Sequence, residues 1–93
     1  MDRITEKDLE DACKRLNELT DSPVKPWEKD ATGKTHGQIG NYHISHAYGG
    51  VALHRMNNTH GGIEDLCSGH QPKRELYEKI NAMMKGIGIA RNA

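Results

Sequence analysis

The stretch from Tyr42 to Met56 constrains the fold more than any other part of the chain. Tyr42, Ile44, His46 and Tyr48 alternate with His43, Ser45 and Ala47, and after Gly49-Gly50 a second run continues from Val51 to Met56. Alternation with period two is the mark of a strand, and a Gly-Gly pair between two such runs marks a two-residue hairpin loop. With Gly49-Gly50 as the loop, Tyr48 pairs with Val51, His46 with Leu53 and His43 with Met56. One face then carries Tyr42, Ile44, Tyr48, Val51 and Leu53 and turns to the core. The other carries His43, Ser45, Ala47, Ala52, His54 and Met56 and is the thinner, wetter side. Asn57–Gly62 reads as the next turn, and Ile63–Cys67 as a short third strand.

Helices flank this meander. Thr5 suits an N-cap, with Asp8 at the third helical position and Ile4 placed to staple onto Leu9. Leu9, Ala12, Cys13, Leu16 and Leu19 then form one apolar stripe at helical spacing, ending before Asp21-Ser22-Pro23. Pro72 suits the first position of a second helix, whose apolar face is Leu76, Ile80, Met83 and Ile87, widened by Tyr77 and Met84. Gly86 reads as its C-terminal breaker, with fraying over Ala90–Ala93. Between the first helix and the meander, Asp30-Ala31-Thr32-Gly33 signals a turn, with a short hairpin across Lys25–Lys29 and Lys34–Gln38. The order implies an α+β fold: helix, three-stranded antiparallel meander, helix, with both helices on one face of the sheet. All 93 residues read as a single domain with an ordered core over about residues 4–88. The chain has no Phe, so Leu, Ile, Met and Val must fill a small core.

Thirteen basic residues balance thirteen acidic ones, which argues against a mainly electrostatic nucleic-acid binder. All six histidines lie beyond residue 34, so the C-terminal two-thirds gains positive charge in mild acid. Cys13 and Cys67 make no disulfide framework, and no membrane-length apolar run or signal-like segment is present. A reducing cytoplasm is the expected setting.

Several patterns touch on chemistry. Gly33-Lys34-Thr35 matches the end of a phosphate-binding loop, but Glu28 stands where the motif needs its first glycine, and an ordinary turn is expected. His43 and His46, three apart on a strand, point to opposite faces and do not share a metal. His43 and His54 share a face diagonally, and meet Cys67 or His70 only if the third strand lies suitably. Asp65, Cys67 and His70 are close in sequence but lack the framing of a nucleophile turn. No catalytic residue, cofactor site or metal site is therefore assigned, and the chain is read as a non-enzyme. Lys73, Arg74 and Lys79 place positive charge on the last helix, with Lys73 and Arg74 in its first turn, where the helix dipole disfavours cations.

At Asn41-Tyr42-His43-Ile44-Ser45-His46-Ala47-Tyr48-Gly49-Gly50-Val51-Ala52-Leu53-His54-Arg55-Met56, followed by Pro72-Lys73-Arg74-Glu75-Leu76-Tyr77, the chain resembles a group of short, functionally uncharacterised proteins encoded by tailed bacteriophages and prophages of Gram-negative bacteria. The likeness spans roughly residues 4–87 and implies a small accessory protein made inside an infected cell. Such a setting points to binding of a host or phage protein. The expected surface is the second hairpin face with its flanking turns, around His43, His54, Arg55 and Asn58, with Trp27 and Tyr48 as aromatic anchors. The alternative is a nucleic-acid-binding module using Lys73, Arg74 and Lys79. The helix–three strands–helix order is also similar to that of double-stranded RNA-binding domains, which carry a basic cluster at the start of the last helix. Glu75 and the zero net charge stand against that alternative.

Overall fold

A computed structural model describes residues 3–92; Met1, Asp2 and Ala93, including the last residue of the expected frayed end, lie outside the described residues. The elements are α1 (Glu6–Leu19), β1 (Trp27–Lys29), β2 (Thr35–Gly37), β3 (Tyr42–Ala47), β4 (Gly50–Met56), β5 (Ile63–Gln71) and α2 (Lys73–Arg91). β3, β4 and β5 form an antiparallel sheet in that order, and β1 pairs with β2 in a separate two-stranded ribbon. The expected α+β architecture is present.

α1 begins where its capping residues direct it. The Asp8 amide donates to the Thr5 hydroxyl at 3.1 Å, and the Thr5 amide donates to the Asp8 carboxylate at 2.9 Å. These two bonds satisfy amides that the first helical turn leaves without partners, and the Thr5 bonds hold the Asp8 carboxyl below its usual range. Leu9, Ala12, Cys13 and Leu16 pack with Leu76 and Ile80 of α2 onto Val51 and Leu53 of β4. The core is therefore one layer between the helix pair and a single face of the sheet.

Buried Asn17 fastens α1 to the sheet. Its side-chain amide donates to the Tyr42 carbonyl at 2.9 Å, and its carbonyl oxygen accepts from the Tyr42 amide at 2.8 Å. The far ends of the helices are joined as well, because the Arg91 guanidinium donates to the Leu19 carbonyl. That bond supplies the cation which the last turn of α1 lacks.

Several expectations are corrected. The hairpin loop is Tyr48-Gly49, so Ala47 faces Gly50, His46 faces Val51, and His43 lies directly opposite His54. Tyr48 and Gly49 both have positive φ, 55° and 73°, the combination a type I′ turn requires. Gly50 belongs to β4 because a Cβ there would meet the Gln71 backbone at 3.0 Å. Tyr48 accordingly leaves the core side and is 97% exposed.

The third strand is longer than Ile63–Cys67 because it continues to Gln71 beyond a wide bulge. Leu53 pairs with Leu66 but Val51 pairs with Gln71, so Cys67–His70 stand opposite Ala52 alone. Cys67, Ser68 and Gly69 all take positive φ there. The Gln71 side-chain amide spans the bulge, donating to the carbonyls of Cys67 at 2.6 Å and Gly69 at 3.0 Å.

At the second helix, Pro72 is the cap and not the first helical residue, and the helix passes through Gly86 to Arg91. Each interior glycine costs a helix about 1 kcal/mol. Packing of Met83, Met84 and Ile87 on the core and the Arg91 bond outweigh that cost.

The β1–β2 ribbon falls within the segments expected for a hairpin and docks on the loop after β4. The Gly37 amide donates to the Thr59 carbonyl at 2.8 Å, and a Cβ on Gly37 would lie 2.8 Å from the Asn58 carbonyl oxygen and 3.0 Å from Met56 Sδ. That close approach explains why Met56 is buried although it lies on the sheet face away from the helices.

Candidate functional site

On the sheet face opposite the helices, four rings follow one another. The His43 and His54 rings lie edge to face at 5.9 Å, His54 and His70 at 6.0 Å, and His70 and Tyr48 at 5.7 Å. His43 and His54 meet because they are cross-strand partners. His70 joins them because the bulge carries it back over β4, where its Nε2 lies 3.3 Å from Ser45 Oγ on β3. Ser45 is paired with Ala52, so the imidazole crosses above Ala52, which is fully buried. A small residue at 52 leaves room for that crossing.

The row has a closed end and an open end. At the closed end His43 Nδ1 is 3.1 Å from Asn41 Oδ1, and the fully buried Asn41 side chain donates to the Pro23 carbonyl at 2.7 Å. Burial, and next the neighbouring His54, lower the His43 pKa from its ordinary value. At the open end Tyr48 projects from the turn with a left-handed backbone. A non-glycine residue in that conformation is strained by about 1–2 kcal/mol. Strain of this kind concentrates at functional positions.

The other expected surface residues do not join the row. Arg55 lies on the helix side, its guanidinium 5.8 Å from the Tyr42 ring and its Nη1 3.8 Å from Glu64 Oε1. Its position one residue after His54 dictates that placement, since neighbours on a strand point to opposite faces. Asn58 is turned into its own loop, where Oδ1 accepts from the amides of His60 and Gly62, each at 2.9 Å. Trp27 packs its ring against Gly61, where a Cβ would come within 2.7 Å, and remains 45% exposed. It sits beside the loop after β4, at the opposite end of that strand from Tyr48.

The basic residues of α2 also divide. Lys79 Nζ donates to the Cys67 carbonyl at 3.3 Å and so supports the bulge. Lys73 and Arg74 line a shallow depression with Arg3, Ile4 and Gly49, beside the hairpin turn.

Cys67 and His70 are three apart in sequence but are separated by the sheet. The Cys67 thiol turns to Met83 of α2, 3.6 Å from its sulfur, while His70 turns to Ser45. Burial raises the Cys67 pKa, with Lys79 opposing and Asp65 adding to the effect, and burial pushes the Cys13 thiol up to about 12. Among the described residues no three His, Cys, Asp or Glu side chains converge on a point that would hold a metal ion.

The Gly33-Lys34-Thr35 turn is filled from within. Asp30 Oδ1 accepts from the amides of Thr32 at 2.8 Å and Lys34 at 3.1 Å and from the Thr32 hydroxyl at 2.6 Å. The Thr32 hydroxyl and then His36 hold the Asp30 carboxyl well below its usual range, so a phosphate approaching this turn would meet a carboxylate.

Alternation alone puts His43 and His54 on one face, whereas nothing local announces Ser45 and His70 as their neighbours. Among the described residues no helix is long and apolar enough to cross a membrane. Compared with protein-family models, curated proteins and solved structures, the chain matches none.

Proposed function

We propose that this chain is a non-enzymatic accessory protein of a tailed phage or prophage that binds a host or phage protein in the host cytoplasm, with Tyr48 as the anchor. The supporting observation is a single residue: Tyr48 is 97% exposed and holds a positive φ of 55°. Asn or Gly would fit that turn position with less strain. A large aromatic ring held there, backed by the His70 imidazole, has the character of the rigid aromatic anchors on which binding energy concentrates at protein interfaces. The half-buried histidines behind it extend the patch with groups that donate and accept hydrogen bonds. The resemblance of Asn41–Met56 to phage and prophage proteins supplies the setting. A photo-crosslinking amino acid placed at position 48 tests the reading in producing cells. Covalent capture of one protein from position 48, and not from exposed Lys85 of α2, is the expected result. Equal labelling from both positions, or none from 48, would refute it.

The nucleic-acid reading keeps one favourable observation, the shared depression of Arg3, Lys73 and Arg74. Non-specific binding needs several phosphates neutralised at once and weakens steeply with salt. Three cations in a chain of zero net charge release few counterions. Fluorescence anisotropy across a salt series should show no duplex binding tighter than about 10 μM at physiological salt, where non-specific values are roughly 1–100 μM. Sub-micromolar binding abolished by Lys73→Ala with Arg74→Ala would establish this second reading instead.

A further inference from the structure

We infer that the outer edge of β3 takes up an extended peptide segment of a partner protein, laid between β3 and α1. β3 is an edge strand of its sheet. The amide and carbonyl of Tyr42 both point away from β4, because both are bonded to the Asn17 side chain of α1. In an antiparallel ladder this outward phase recurs at every second residue, so the amides and carbonyls of Ile44 and His46 point outward too. The Gly40 and Met56 amides, which donate to Met56 and Asn41 respectively, fix the same phase from the other side. Among the described residues nothing bonds to the outward groups of Ile44 and His46.

A groove of about 230 Å³ runs along this edge, walled by Glu10, Cys13 and Lys14 of α1 and by Val24, Ile44 and His46. One end is closed by Asn17, and at the other His46 Nε2 lies 3.4 Å from Glu6 Oε1. Asn17 also shows what the edge accepts: its carboxamide makes with Tyr42 the two bonds that the N–H and C=O of one residue on a neighbouring antiparallel strand would make. The next two outward positions lack such a partner.

The two edges of the sheet differ in a way that favours this occupant. β5 is blunted by its bulge at Cys67–His70 and by Glu64 and Asp65, which are among the devices that keep edge strands from pairing. β3 has no bulge, proline, lysine or arginine between Tyr42 and Ala47. A peptide added here gains affinity from main-chain bonds to Ile44 and His46 and selectivity from alternate side chains. The side chain beside Ile44 and Val24 should be apolar, with Glu10 and Lys14 flanking it. This surface is separate from Tyr48, so each reading stands or falls alone.

The test uses the whole chain as bait for a displayed random heptapeptide library, followed by binding and amide-exchange measurements on the enriched peptides. Proline at an edge removes only the outward N–H and leaves the ladder to β4 in place. His46→Pro should therefore weaken peptide binding at least tenfold. Tyr48→Asn, on a separate surface, should stay within threefold, and His46→Ala, which keeps the amide but removes a wall of the groove, should lose less than His46→Pro. In the unmodified protein, bound peptide should slow exchange of the Ile44 and His46 amides at least tenfold, a readout that holds even if His46→Pro fails to fold. No enrichment over a bait-free control, unchanged exchange at both amides, or undiminished binding by a folded His46→Pro variant would overturn the inference.

Discussion

Replacing Tyr48 by Asn should make the protein more stable while removing its proposed binding anchor. Tyr48 sits at the first central position of the hairpin turn with φ 55°, followed by Gly49 at 73°. A left-handed backbone costs an ordinary residue about 1–2 kcal/mol. Asn tolerates this region, and Asn-Gly is a favoured pair for a type I′ turn. What is lost is the edge contact between the Tyr48 and His70 rings at 5.7 Å. For a ring that is 97% exposed, that contact falls at the low end of the aromatic-pair range, about 0.5 kcal/mol. The difference is a net gain of about 1 kcal/mol. In a domain of this size that raises Tm by roughly 4–8 °C. Thermal unfolding followed by far-ultraviolet circular dichroism measures it, with amide exchange confirming that Ala47 still faces Gly50. A Tm lowered by several degrees would show that the ring is held by contacts stronger than the strain and that its conformation needs no functional explanation.

Two further predictions concern the row behind Tyr48. Ala52→Leu should destabilise the fold by about 1–3 kcal/mol through overpacking and displace His70 from Ser45, seen as loss of contacts between the two residues in NMR spectra; retention of both stability and contact would mean that the ring does not cross above Ala52. The lowered His43 pKa makes the native state bind fewer protons than the unfolded chain, so its contribution is full above the ordinary value of 6.5 and is lost as pH falls through the lower native value. The urea midpoint should therefore drop on acidification below about pH 6.5, before the depressed carboxyls of Asp8 and Asp30 add their own loss at lower pH; His43→Gln should flatten the first part of that drop, and an unchanged profile would remove His43 as its source.

What was legible in the sequence followed from short-range rules. Thr5 and Asp8 announced α1 because a capping box spans only four consecutive residues. The alternation of Tyr42–Met56 announced the hairpin and set His43 and His54 on one face, because strand side chains have period two. Its register was not legible: moving the loop from Gly49-Gly50 to Tyr48-Gly49 changes every pairing and takes Tyr48 out of the strand, but leaves the other strand residues on their faces. What decides between them is the approach of Gly50 to the Gln71 backbone, a contact between residues far apart in sequence. The bulge escaped for the same reason, since its left-handed Cys67 and Ser68 are supported by Gln71 and by Lys79 of the next helix. With the bulge hidden, His70 could not be placed beside Ser45, and half of the ring row stayed out of view. Nearness in sequence groups Arg55 and Asn58 with His43 and His54, whereas strand parity turns Arg55 to the other face of the sheet and a local turn holds the exposed Asn58 side chain in its own loop.

The most direct measurement is the dissociation constant of the protein captured from position 48, determined for the unmodified chain, Tyr48→Asn, and Lys73→Ala with Arg74→Ala. An anchor of this kind carries roughly 2 kcal/mol or more of binding energy, so Tyr48→Asn should bind at least tenfold more weakly despite its higher Tm. The double substitution should stay within about fivefold, as expected for rim charges whose pairing with a partner is worth under about 1 kcal/mol. Binding by Tyr48→Asn at unchanged strength, with loss confined to the Lys73 and Arg74 variant, would contradict the account and move the functional surface to the start of α2.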